Sequence, residues 1–141
     1  METYEVKVSY TRQTGEDNPG KVKEAYLVRA ISCSDAEQQV INEIKPLIFG
    51  DEFEAPAVRK RLFFDIFRKD NTVAWYEVKV EMITIDGDRE TRKAVVILQQ
   101  ANTLSEAVKE MKFHLGDYDC EIIAVKRSAI IDVLKGEEAA A

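Results

Sequence analysis

Few residues of this 141-residue chain are suited to chemistry. Asp65 and Asp132 sit in matching contexts, Leu62-Phe63-Phe64-Asp65-Ile66-Phe67 and Ala129-Ile130-Ile131-Asp132-Val133-Leu134. Two carboxylates held together can divide acid and base roles between them. The simpler reading is that each caps a turn or accepts backbone amides. It is the favoured one, because no histidine, metal-ligand set or nucleophile accompanies the pair. Arg59, Lys60 and Arg61, followed by Arg68, recur in kind as Lys126 and Arg127. If gathered on one surface, they would bind phosphates or an acidic protein. Phe63, Phe64 and Phe67 lie close by and would then stack on bases. Ile130, Ile131 and Leu134 replace those aromatics in the second context, which favours core filling over stacking.

The remaining candidates are weaker. His114 is the one histidine and falls near the end of a helix, where an imidazolium is favoured; a structural role is expected. Cys33 falls near a helix start, which can activate a thiol, but no base is evident beside it. With Cys120 it makes two cysteines, without zinc spacing, and a disulfide is disfavoured in an intracellular setting. Trp75 and Tyr76 open the second half of the chain and read as packing residues. Neither a P-loop nor a dinucleotide-binding glycine fingerprint occurs. The expectation is no enzyme, no metal and no cofactor.

The net charge of −6 argues against sequence-independent DNA binding, which relies on neutralising phosphates. It suits a chain that meets a basic partner. No apolar run reaches the length of a membrane span, and METYEVKVSY lacks the form of a secretory leader. A cytoplasmic location is therefore expected.

The elements that must position these residues are announced by a repeat. Tyr4-Glu5-Val6-Lys7-Val8 returns as Tyr76-Glu77-Val78-Lys79-Val80. The period of two marks a strand with one buried face, Glu and Lys pointing to solvent. A turn follows each copy, Thr14–Gly20 in the first and Asp86-Gly87-Asp88 in the second, then a second strand, Ala25–Val28 or Ala94–Leu98. Ser32 and Thr103 each stand three residues before a carboxylate, the signature of a helix N-cap. The helices are expected to run to Leu47 and Leu115, with Pro46 in the last turn of the first and Gly116 capping the second. A third strand follows in each copy. The apolar tails that hold Asp65 and Asp132 are too short for periodicity to separate helix from edge strand.

The expected fold is thus α+β: an internal duplication of a strand–strand–helix–strand unit with an apolar tail, pseudo-two-fold, its helices packed on an antiparallel or mixed sheet. The copies are 1–70 and 73–136, joined by a linker at Lys69–Thr72 within one domain, 1–141, with a flexible tail at 137–141. Tyr4, Tyr76, Trp75, Ser32, Thr103, Asp65 and Asp132 are assigned structural roles. Arg59, Lys60, Arg61, Arg68, Lys126 and Arg127 are the binding candidates.

Thr3-Tyr4-Glu5-Val6-Lys7-Val8, Tyr26-Leu27-Val28, Ser34-Asp35-Ala36-Glu37 and Trp75-Tyr76-Glu77-Val78-Lys79 carry a family resemblance over most of the chain. They resemble an uncharacterised domain family of Bacteroidota, their phages and mobile elements. The resemblance implies no activity and no site residues. The expected function is a non-enzymatic interaction module that binds a protein partner or itself as a homodimer. The alternative is an accessory protein that binds single-stranded nucleic acid.

Overall fold

A computed structural model describes residues 1–12 and 20–134. Most of the turn read at 14–20, and all of the tail read at 137–141, lie outside the described residues. The elements run β1 (Glu2–Arg12), β2 (Gly20–Ala30), α1 (Cys33–Ile44), β3 (Ile48–Lys60), β4 (Asp65–Phe67), β5 (Ala74–Asp86), β6 (Arg89–Ala101), α2 (Leu104–Leu115), β7 (Cys120–Arg127) and β8 (Ile130–Val133). Strand predominates over helix, and the class is α+β.

The chain divides into two units. Unit 1 holds Met1–Arg61 and the segment that begins at Ala129; unit 2 holds Leu62–Ser128. Unit 1 has a four-stranded sheet in the order β3-β1-β2-β8, and unit 2 one in the order β4-β6-β5-β7. In each, three strands are antiparallel and the fourth lies parallel to its neighbour, β8 on β2 and β4 on β6. Both sheets are therefore mixed.

In unit 1 the alternation of β1 sends Tyr4, Val6, Val8 and Tyr10 to one face, all buried. Tyr26, Val28 and Ala30 of β2 join them, and Ala36, Val40 and Ile44 of α1 close the cluster. Those helix residues recur every four, so one stripe of α1 meets the sheet. Ser32 starts the helix: its backbone is extended, and its Oγ accepts the Asp35 amide at 3.1 Å. The Asp35 carboxylate in turn accepts the Ile31 amide at 3.1 Å. The helix stops at Ile44, earlier than expected, because Pro46 diverts the chain into a single 3-10 turn, Lys45–Leu47.

Unit 2 follows the same local rules. Val78 and Val80 of β5, Ile97 of β6, and Met111 and Leu115 of α2 form one cluster. Ala74, Tyr76, Ala101 and Ala107 form an adjoining one. Thr103 Oγ1 accepts the Glu106 amide at 3.1 Å, and Gly116 at φ 45° ends the helix, donating its amide to Lys112 at 3.1 Å.

Both apolar tails are edge strands, and neither stays with the copy that precedes it in sequence. β4 follows β3 along the chain but pairs with β6, Asp65–Phe67 against Ile97–Gln99. β8 follows β7 but pairs with β2, beginning at Ala25 opposite Ile130. The unit boundaries consequently fall at 61/62 and 128/129, ahead of the tails. The segment read as a linker lies inside unit 2. There Lys69 meets Glu110 at 2.7 Å and Glu106 at 3.2 Å, and its amide donates to Gln100 at 3.0 Å.

Ile130 is 1% exposed and opens β8, opposite Ala25 of β2. Ile130→Ala is expected to cost about 2–5 kcal/mol by chemical denaturation. Hydrogen exchange should show protection lost first along β2 at Ala25–Leu27, with β5 and β6 retaining theirs.

Candidate functional site

The glutamate of the repeated strand does not face solvent in unit 1. Lys7 is exposed as expected, but Glu5 is 2% exposed. The register of β1 against β3 explains this, for it sets Arg59 opposite Glu5. Arg59 Nη2 donates to Glu5 Oε1 at 3.4 Å, and Arg61 Nη1 donates to the same oxygen. The Arg61 amide also donates to the Thr3 carbonyl at 2.9 Å. A carboxylate taken from water needs charged partners of this kind. At the matching place in unit 2 Glu77 is only half-buried, and a hydroxyl is among its partners. Ser128 Oγ donates to Glu77 Oε2 at 2.8 Å, and the Ser128 amide donates to the Trp75 carbonyl at 2.8 Å.

The basic candidates are therefore divided in role and in place. Arg59, Lys60 and Arg61 belong to unit 1; Arg68, Lys126 and Arg127 belong to unit 2. Arg61 is held by Glu5, and Arg59 shares that carboxylate while remaining more than half exposed. Arg68 sets its guanidinium 5.7 Å from the ring centre of Trp75, which is buried. Lys60, Lys126 and Arg127 are exposed. Sequence reasoning missed the Glu5 pairing because Glu5 and Arg61 are 56 residues apart and only the ladder brings them together.

Asp65 and Asp132 lie in different units, on β4 and β8. Each accepts the amide of the next residue, at 2.9 Å from Ile66 and 2.8 Å from Val133. His114 stacks on Phe67 at 4.0 Å, nearly coplanar, which gives that ring a packing partner. Burial, with Asp119 adding to it, pushes the Cys120 thiol up, away from thiolate reactivity. Cys33 begins α1 and is an exposed free thiol. Among the described residues, no group of three or more His, Cys, Asp or Glu is arranged to hold a metal, and no helix is long and apolar enough to cross a membrane.

One polar cluster went unread in the sequence. Glu24, on the core face of β2, accepts Tyr10 Oη at 2.5 Å and Tyr26 Oη at 3.1 Å. Arg12 donates to Tyr10 Oη at 2.7 Å and reaches Glu24 at 3.5 Å. Burial, then the Glu24 carboxylate, raises both phenols above their ordinary 10.0. The only hint in sequence was a charged residue breaking the apolar positions of β2. The carboxylate and both phenols are partnered within the cluster, while Arg12 Nε is buried without a hydrogen-bond partner among the described residues.

What remains open is backbone. β3 and β7 are the outer strands beside β1 and β5. β3 is interrupted: Pro56 lacks an amide, Gly50 stands at φ 76°, and the pairing with β1 shifts register twice. β7, CEIIAVKR, has neither proline nor glycine and shifts once, at Ile123. Ile123 is 49% exposed, while Ile122 and Val125 pack toward the unit 2 core. The outer edge of β7 is the least obstructed pairing surface among the described residues.

Two outcomes check these assignments. Arg61→Ala leaves the buried carboxylate only the longer Arg59 contact and is expected to cost about 3 kcal/mol by urea denaturation. The double variant Glu5→Gln with Arg61→Met removes both charges and should recover most of the loss. The raised phenols favour the neutral form in the folded chain. Their contribution is complete below the unfolded value of about 10 and is lost as pH climbs through the raised folded values. Stability should thus fall above pH about 10, and Tyr26→Phe should flatten that fall.

Comparison with curated proteins returns no match. The sequence profile described as Domain of unknown function (DUF4494) matches residues 2–136, nearly the whole chain, and the chain belongs to that family.

Proposed function

We propose that this chain is a non-enzymatic binding module whose second half receives an extended protein segment along β7. The observation that carries this reading is the open outer edge of β7, eight residues long, unbroken by proline or glycine, with Ile123 exposed at its centre. An added strand gains backbone hydrogen bonds there, and alternate side chains set its specificity. A second copy of the chain would satisfy the edge by antiparallel β7–β7 pairing, a closed two-fold arrangement. A partner protein would satisfy it in the same geometry.

We also read the architecture as an internal duplication with pseudo-two-fold symmetry. The matched motifs and the shared strand order, third–first–second–tail in both sheets, support it. A setting in Bacteroidota or their phages rests on the motif resemblance, and the cytoplasmic expectation on the lack of a membrane-length apolar run. Binding of single-stranded nucleic acid is the weaker alternative. Arg59 and Arg61 are engaged by Glu5, and Phe67 is engaged by His114, which leaves Lys60, Lys126 and Arg127 to carry it.

Light scattering across a dilution series should show mass rising with concentration, or a stoichiometric protein should co-purify from the native host. In either state the amides of 120–127 should gain exchange protection. Ile123→Lys should weaken the association tenfold or more while shifting stability by no more than about 0.5 kcal/mol. A monomer at every concentration, without a co-purifying protein, would remove the reading.

A further inference from the structure

The face of the unit 1 sheet opposite the α1 core carries an open groove of ≈ 400 Å³, lined by Lys7, Ser9, Lys21, Lys23, Ala25 and Pro56 among others. Its floor follows from the β1–β2 register. Ser9 stands opposite Lys23, Lys7 opposite Ala25, and Thr11 opposite Lys21. Strand alternation puts all of these on one face. Directly opposed side chains lie about 5 Å apart at Cβ, so the Lys23 stem rises beside Ser9, with Lys7 and Lys21 on the two diagonals.

Ser9 is the unusual member. It is 7% exposed, and its Oγ has no hydrogen-bond partner among the described residues. Buried hydroxyls without partners are uncommon and costly. The three ammonium groups around it are exposed, and none forms an ion pair among the described residues. Among the described residues, Glu54, opposite Ser9 on β3, is the carboxylate that lines the groove on this face, and Glu5, further along the same face, is held by Arg59 and Arg61. The Glu24 carboxylate is held on the other face by Tyr10 and Tyr26. The groove is thus net cationic in a chain of net charge −6.

Unit 2 supplies a contrast. Glu81 occupies the position matching Ser9, four residues past the tyrosine-glutamate pair of its own strand. It binds Arg92 at 2.8 Å, and Arg92 also meets Glu90 and Glu121, so carboxylates and not free lysines gather there. In unit 1 a hydroxyl stands where that carboxylate would be, and among the described residues none of the three lysines forms an ion pair. Lysines on the outer stretch of β2, which β8 does not cover, also discourage unwanted strand pairing. That role explains neither Lys7 nor the orphaned hydroxyl of Ser9, both on the interior strand β1.

We infer that this groove binds the phosphate group of a small molecule. Binding uncovers Ser9 Oγ, which is buried in the unliganded groove; it and the Lys23 ammonium then donate to the phosphate oxygens, and Lys7 and Lys21 complete the charge. Hydroxyl and ammonium donors match an acceptor-only dianion. Ala25 and Pro56 offer an apolar flank for the rest of the molecule, and the volume lies in the range of small-ligand sites. This site is independent of β7 and of any protein partner.

The test is an amide NMR titration of the intact chain with pyrophosphate and with adenosine monophosphate, against sodium chloride at matched ionic strength. Saturable shifts at residues 7–9 and 21–25 with either phosphate, absent with chloride, are expected. Lys23→Gln should weaken the binding about tenfold, Ser9→Ala should weaken it several-fold, and Arg127→Gln should leave it unchanged, all with native spectral dispersion. No saturable shift with either probe overturns the assignment. So do shifts that chloride reproduces or that survive Lys23→Gln.

Discussion

The buried Glu5 carboxylate is the constraint from which much of unit 1 follows. Removing an ion from water costs several kcal/mol, and a single cation seldom returns all of it. Glu5 therefore fixes its surroundings. It demands Arg59 and Arg61 on one side, which locks the register of β3 against β1, and it pins the residue at which the chain leaves unit 1. The Thr3 carbonyl takes the Arg61 amide at the same place, so backbone and side chain agree on one arrangement. Such a pair contributes less to net stability than to the uniqueness of the register: a slip by one residue would carry Glu5 into the apolar core and Val6 out of it. Unit 2 repeats the device in milder form. Glu77 keeps partial access to water, and the Ser128 hydroxyl meets it at the residue where the chain leaves that unit.

Pinned exits make sense of the exchanged tails. Beyond Arg61 the chain has one apolar strand left to place, and it places β4 on β6; beyond Ser128 it places β8 on β2. A sheet and helix of about 65 residues has a marginal core by itself. The segments brought in from elsewhere in the sequence add to each core, Leu134 beside β8 for unit 1 and Phe67 of β4 for unit 2. Neither unit's sheet is then complete until the other copy's chain has been delivered. The cost is a higher share of long-range contacts, which slows folding.

The legible parts of the sequence were those governed by local rules. The period of two in β1 and β5, the spacing of four in Ala36, Val40 and Ile44, the hydroxyls of Ser32 and Thr103, and the turn chemistry at Gly87 are all decided within a few residues. What was illegible depends on partners far along the chain. Glu5 reads as a solvent-facing charge until β3 is laid beside it. Arg59 and Arg61 read as a phosphate patch until one carboxylate claims them both. The tails read as either helix or strand, because their conformation is set by β6 and β2 and not by their own three or four residues. Glu24 belongs to the same class: its acceptable position on a core face depends on Tyr10 across the ladder. Candidate sites suffer most, since a single charge pairing can remove a residue from the list, as it does for Arg61, or leave one behind, as at Ser9.

The two copies differ most where recognition would occur, and the differences are directional. In unit 1 the outer strand β3 is blunted by Pro56 and a left-handed Gly50, devices that prevent pairing with other chains. In unit 2 the matching strand β7 lacks both. On the sheet faces the asymmetry runs the other way. Unit 2 gathers Glu81, Glu90 and Glu121 on Arg92, while unit 1 keeps three lysines around a hydroxyl. Here each unit closes the feature that the other leaves open, an edge in one and a charged face in the other. That division favours two separate binding tasks over one shared site, and it explains why searching the repeated residues for chemistry finds only structure. The residues that recur, Tyr4, Glu5, Val6, Lys7 and Val8 with their counterparts, build the frame; the residues that fail to recur are where binding is to be sought.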